Sequence, residues 1–141
     1  MRAVVQRVLS AEVRVDDDVV GSIGEPGLLV YLGVTHTDTD AEADWMARKL
    51  VDVRLLREER SCAEAGAPLL VVSQFTLYGD ARKGRRPTWA AAAPGPVSEP
   101  LYDRVCAQLE AAGATVARGR FGADMAVSSV NDGPVTLILE R

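Results

Sequence analysis

The sequence predicts an α+β fold: a largely antiparallel, barrel-like β-sheet core with two main helices, forming one domain over residues 1–141. Three observations predict it. Segments of strand character come in runs. Only two stretches carry a helical apolar period, and they lie far apart in the chain. That order argues against alternating βαβ units and for a sheet with helices set to one side. The length itself suits a single core.

The elements follow in chain order. Ala3–Val8 has strand composition, and Val13 and Val15 alternate with Glu12 and Arg14, the period of a half-buried strand. Asp16-Asp17-Asp18 makes a turn and Val19–Ile23 returns as a strand. Gly24-Glu25-Pro26-Gly27 is the next turn. Leu28–Val34 is nearly all apolar and reads as a central strand buried on both faces. Asp38 or Asp40 is expected to cap a helix running to about Val53, with Met46, Leu50 and Val53 as its buried stripe. Val53–Leu56 is expected to continue as a short strand, and Arg57–Pro68 as an irregular connection. Leu69–Val72 is a second apolar strand leading into Ser73-Gln74-Phe75-Thr76-Leu77. Gly79–Pro96 has no period and reads as a long loop, of a length that is functional or disordered in compact domains. Ser98 is expected to cap the second helix, with Leu101, Val105 and Leu109 as its stripe and Gly113 as its stop. Thr115–Ala117, Met125–Val130 and Val135–Leu139 complete the strands.

Composition narrows the function. Hydrophobic residues make up 48% and charged residues 26% of the chain, an ordinary globular balance. The net charge of −4 and pI near 5.0 argue against a protein that wraps duplex DNA, while leaving room for a local basic patch. No stretch reaches the roughly 18 apolar residues of a membrane span. Two cysteines, Cys62 and Cys106, without a secretion signal suggest free thiols in the cytoplasm. With His36 as the one histidine and no CxxC pair, neither a metal site nor any other cofactor is expected.

Two segments carry candidate chemistry. Ser73-Gln74-Phe75-Thr76 ends a buried strand in hydroxyl and amide groups. Such groups either line a pocket edge or satisfy their own backbone. Asn131-Asp132-Gly133-Pro134-Val135-Thr136 has the composition of an ordinary hairpin turn, and its residues alone favour a trans peptide. Phe121-Gly122-Ala123-Asp124-Met125 approaches a strand, Trp89 covers a pocket or fills the core, and Arg82–Arg86 is either a solvated basic loop or a phosphate grip. His36, in a polar run before a helix, reads as a solvated loop residue.

Together these segments resemble the D-aminoacyl-tRNA deacylases. Ser73-Gln74-Phe75-Thr76-Leu77 is similar to that family's Ser-Gln-Phe-Thr signature, and Asn131–Thr136 to its Asn-x-Gly-Pro-x-Thr signature. Gln6-Arg7-Val8, Gly27–Val30, Lys83–Pro87 and Phe121–Met125 also sit where the family has similar runs. One segment departs: Arg57–Pro68 lacks the Gly-Lys-Met-Asn run the family commonly carries before the Ser-Gln-Phe-Thr strand.

The resemblance implies hydrolysis of the ester between a D-amino acid, or glycine, and the 3′-terminal adenosine of tRNA, by a homodimer. It implies that Ser73, Gln74, Phe75 and Thr76 form the catalytic segment, with the Phe75 and Thr76 N–H groups binding the ester carbonyl and the ribose 2′-hydroxyl assisting water. It implies a cis Gly133–Pro134 peptide whose carbonyls exclude L side chains, with Asn131 and Thr136 in the same motif, and Phe121 and Met125 walling the pocket. No membrane or DNA partner is expected. Two other readings stay open: a Ser or Thr hydrolase of small D-amino esters using Ser73 or Thr76 with His36 as base, and a non-catalytic RNA-binding module.

Overall fold

The computed structural model describes residues 1–141. Its sheet is organised by one long strand, β1 (Arg2–Val15). On one edge β1 pairs with β3 (Gly27–Gly33) through Arg2–Val8 and with β2 (Asp18–Ile23) through Ala11–Val15. On the other edge it pairs with β6 (Ala126–Glu140) from Arg2 to Arg14. These pairings are antiparallel. Beyond β3 the sheet continues in parallel through β4 (Leu69–Ser73) to β5 (Val116–Arg118).

The sheet is therefore mixed, and two right-angled departures from the sequence reading matter. First, α1 (Asp40–Asp52) connects β3 to β4, and α3 (Gly95–Ala111) connects β4 to β5, so two βαβ crossovers are present after all. Their strands are the apolar ones. A strand covered by helices on one face and by the barrel interior on the other loses its alternation, as parallel strands do. Second, the strands expected at Met125–Val130 and Val135–Leu139 merge into one, β6, because β1 pairs with it on both sides of a bulge.

The two cores alternate along each central strand. Leu28, Val30, Leu32, Leu69 and Val71 face α1 and α3, meeting Met46, Leu50, Leu101, Val105 and Leu109. Leu29, Leu70 and Val72 face inward with Val8, Val13 and Ile23, filling a nearly closed barrel. Closure comes where β2 meets β5: a Cβ built on Gly21 would stand 2.3 Å from the Arg118 carbonyl oxygen. Arg104 of α3 ties the helices together, holding the Asp44 carboxylate of α1 with both oxygens at 2.8 and 2.9 Å.

Local details correct four expectations. Thr39 caps α1, forming a capping box with Glu42. Asp38 is buried and engaged elsewhere, by the Met1 ammonium and the Thr35 N–H, and Asp40 already lies in the helix. Ser98 lies inside α3 rather than capping it; its hydroxyl donates to the Pro94 carbonyl, and the helix starts at Gly95 with a proline in its first turn. Val53–Leu56 forms no strand, since Leu55 and Leu56 bond locally to Val53 and Arg60. Arg57–Pro68 contains a 3-10 turn and a short helix, α2 (Cys62–Ala65), in addition to the two main helices. No helix is long and apolar enough to cross a membrane.

The closure at Gly21 yields a direct test. Gly21→Ala is expected to destabilise by about 1–3 kcal/mol, the usual range for overpacking. Gly24→Ala, whose new Cβ meets nothing within 4 Å, is expected to leave the urea midpoint nearly unchanged. Equal midpoints for the two variants would show that β2 and β5 are not held in contact.

Candidate active site

β4 ends at Ser73, and the chain turns sharply into a 3-10 turn at Phe75–Tyr78. This change of direction lifts the segment out of the sheet and onto the rim of a cavity of about 430 Å³. Ser73, Gln74 and Phe75 line one side. Phe121, Asp124 and Met125 line the other, and Tyr102 of α3 the back. The Tyr102 hydroxyl donates to the Val71 carbonyl at 2.9 Å, and burial pushes its pKa up, so it is a wall and not an acid. Met125 closes down on Gly119, where a Cβ would come within 2.8 Å of its sulfur.

The Ser73–Thr76 segment is braced by side chains. The Gln74 side-chain amide donates to the Thr76 hydroxyl. Gln74 precedes the turn, but its side chain makes no capping hydrogen bond to the backbone, so the leading N–H groups, those of Phe75 and Thr76, are the donors that the start of a helical turn leaves without intrahelical partners. The Phe75 ring is half exposed and meets Trp89 edge-on, with ring centres 5.5 Å apart. Trp89 in turn packs over Gly79, where a Cβ would meet its ring at 2.6 Å.

The second motif lies apart from this cavity. Gln6 pairs with Thr136 and Val8 with Asn131, so four residues of β6 stand opposite Arg7 alone and bulge from the strand. The Gly133–Pro134 peptide within the bulge is cis. Gly133 has φ +140°, and a Cβ there would lie 2.7 Å from Val135 Cγ2 and 2.9 Å from Val135 N, so only glycine fits. The bulge is held from within. Asn131 Nδ2 donates to the carbonyls of Arg7 (2.9 Å) and Val135 (3.1 Å), and Gln6 donates to the Thr136 hydroxyl at 3.1 Å. Arg7 Nε donates to the Asp132 carbonyl at 3.0 Å. This is no ordinary hairpin turn, because its ends continue the same strand.

Asp132 anchors the bulge, a role not evident from the sequence because its partner is 75 residues away. Its carboxylate is buried and takes both arms of Arg57, at 2.6 and 3.1 Å. That hydrogen bonding holds the Asp132 carboxyl below its ordinary range; burial opposes the shift, and the charges of Arg57 and Arg7 reinforce it. Arg57 belongs to the segment that departs from the family pattern.

Ser73 has no histidine beside it. His36 bonds the Ala90 carbonyl at 2.9 Å and does not line the cavity. Burial pushes Cys106 up to about 11 and Cys62 up to about 12, which keeps both thiols protonated at neutral pH.

The anchor makes the bulge pH-sensitive in one direction. A carboxyl whose folded pKa lies below its unfolded value, near 3.9, keeps its contribution above that value and loses it as pH falls through the folded one. The Gly133 amide resonance is expected to hold from pH 7 to about 4.5 and to move only below about 4. In Arg57→Ala, Gly133 is expected to exchange with solvent faster than in the wild type. Unchanged exchange would leave Arg7 and Asn131 as the holding groups.

The chain matches the family model described as D-Tyr-tRNA(Tyr) deacylase over residues 4–140. It is 66% identical to a D-aminoacyl-tRNA deacylase of Thermobifida fusca and 65% identical to one of Streptomyces coelicolor, each covering 99% of both chains. A solved structure described as "c-Myc DNA Unwinding Element Binding Protein" superposes with a TM-score of 0.92 at 36% identity, covering 100% of this chain and 99% of that one. A second, described as a "probable eukaryotic D-amino acid tRNA deacylase", shares the fold with a TM-score of 0.86 at 20% identity, over 98% and 97% of the two chains. The chain thus belongs to the D-Tyr-tRNA(Tyr) deacylase family.

Proposed function

We propose that the chain is a D-aminoacyl-tRNA deacylase of the cytoplasm, acting as a homodimer on the ester at the 3′-terminal adenosine of tRNA. It takes D-aminoacyl and glycyl esters and spares L-aminoacyl esters. One observation carries this reading. Ser73, Gln74 and Phe75 line a cavity, while Gly133 and Pro134 stand outside it on the edge strand β6. β6 pairs only with β1, and its open edge exposes Val130 and Ile138. An unpaired edge with apolar side chains is a ready surface for a second copy. A symmetric pair would bring the bulge of each chain to the cavity of the other.

The chemistry then needs no protein nucleophile. The Phe75 and Thr76 N–H groups receive the ester oxygen as it becomes an oxyanion, a stabilisation of about 10²–10³ in rate per donor. The ribose 2′-hydroxyl assists the attacking water. Phe121 and Met125 wall the substrate. The Gly133 and Pro134 carbonyls face its α-carbon, so an L side chain collides with backbone. A D side chain points away, and glycine has none. Selection by collision with a rigid backbone tolerates many D side chains. Ser73 as nucleophile is disfavoured because the one histidine, His36, bonds the Ala90 carbonyl and does not line the cavity.

Four experiments test the reading. Ala123→Trp fills the cavity and Gly133→Ala disrupts the bulge; each variant alone is expected to be inactive. Mixed and allowed to exchange, they are expected to recover activity, because one site of each heterodimer has an intact cavity and an intact bulge. Light scattering is expected to give twice 15.1 kDa. No recovery, or a fully active monomer, would overturn the shared site. Separately, Ser73→Ala is expected to keep turnover without a trapped acyl-enzyme, and tRNA ending in 2′-deoxyadenosine to react far more slowly. An acyl-serine in the wild type would reverse the assignment.

A further inference from the structure

The long loop after the catalytic segment is built, not slack. Asp80 and Thr88 exchange backbone hydrogen bonds of 2.9 Å in each direction, closing its root. Next to that root, Trp89 packs on Phe75 at the cavity rim. The tip between them carries four cations, Arg82, Lys83, Arg85 and Arg86, all exposed. Arg82 is neutralised: its guanidinium clamps both oxygens of Asp80 at 2.6–3.1 Å. Lys83, Arg85 and Arg86 have no ion-pair partner. Three uncompensated positive charges therefore stand on a loop whose root meets the cavity rim, on a chain of net charge −4.

Elsewhere the exposed arginines without a carboxylate partner, Arg48, Arg60, Arg120 and Arg141, lie in separate segments. Arg2, Arg14, Arg54, Arg104 and Arg118 each hold a carboxylate. The loop tip is thus a place where positive charge is presented outward, on a support fixed to the rim. A 3′-terminal adenosine entering the cavity trails the phosphates of its own strand past this rim. Arg and Lys meet such phosphates without regard to base sequence.

We propose that Lys83, Arg85 and Arg86 bind the phosphate backbone of the tRNA whose aminoacylated end occupies the cavity. The assignment rests on the deacylase reading given above. The tip holds the substrate by its charge and takes no part in ester cleavage. Its contribution falls in KM and in the salt dependence, not in kcat. It also sets the substrate class: a charged nucleic acid strand is held far better than a short aminoacyl-adenosine.

The test compares the wild type with a Lys83→Ala/Arg85→Ala/Arg86→Ala variant on two esters, full-length D-aminoacyl-tRNA and D-aminoacyl-adenosine. On tRNA, kcat/KM is expected to fall at least about tenfold at low salt, and its log–log salt slope to become shallower by about 2–3, roughly 0.7–0.9 per lost phosphate contact. On aminoacyl-adenosine the variant is expected to match the wild type. An Arg48→Ala/Lys49→Ala variant removes exposed charge from α1, away from the rim, and is expected to keep the wild-type slope. An unchanged slope in the loop variant would overturn the proposal, as would an equal loss on both esters, or the same loss in the α1 variant. A wild type that cleaves neither ester defeats the deacylase reading instead. In that case, fluorescence anisotropy with uncharged tRNA still decides the surface: weaker binding by the loop variant supports it, and equal binding overturns it.

Discussion

The hydrogen-bond ladders of β1 place both the cavity rim and the bulge of β6. On one edge β1 aligns β3, and β3 aligns β4, whose end delivers Ser73, Gln74 and Phe75 to the cavity. On the other edge it aligns β6, whose bulge presents Gly133 and Pro134. A one-residue slip would turn every side chain of a strand to the opposite face. The two cores forbid such a slip, because Leu28, Val30 and Leu32 fit the helices while Leu29 fits the barrel. Apolar packing thus fixes register, and register fixes where the polar groups of the site emerge.

The bulge is held by polar contacts of another kind. Its anchor, Asp132, is a buried carboxylate taken by Arg57, with Arg7 3.2 Å away. The carboxylate is buried while the Arg57 side chain is mostly exposed, so the pair contributes little net stability, but removing Arg57 leaves a buried charge without its main partner. Such a network suits the holding of one backbone shape better than the strengthening of a fold. The proposed selection by backbone demands such a shape: a turn that does not yield when the wrong side chain presses on it.

Much of this was legible in the residues. Leu28–Val34 and Leu69–Val72 announced themselves as strands buried on both faces, and the stripes of α1 and α3 were visible in Met46, Leu50, Leu101, Val105 and Leu109. The same apolar continuity also signalled parallel pairing, a signal masked by the strand runs at either end of the chain. The cap at Thr39 and the interior place of Ser98 were not legible, because each depended on competition among neighbouring polar residues for the same N–H groups. Of the residues singled out in the sequence, Ser73, Gln74, Phe75, Phe121 and Met125 line one cavity, whereas Thr76, Asn131, Gly133, Pro134 and Thr136 do not. Arg57 could not be found from sequence. It lies in the stretch that departs from the family pattern, and its contact with Asp132 exists only in three dimensions.

His36 does not line the cavity and both thiols are buried outside it, so the cavity offers neither a Ser–His pair nor a thiol. The proposed chemistry draws its selectivity from what the site excludes. The most direct measurement is release of amino acid from matched D- and L-tyrosyl-tRNA, prepared on the same tRNA and followed with purified protein. The expected result is rapid release from the D ester and release from the L ester no faster than without protein. Equal rates on the two esters, or faster release from the L ester, would contradict the account.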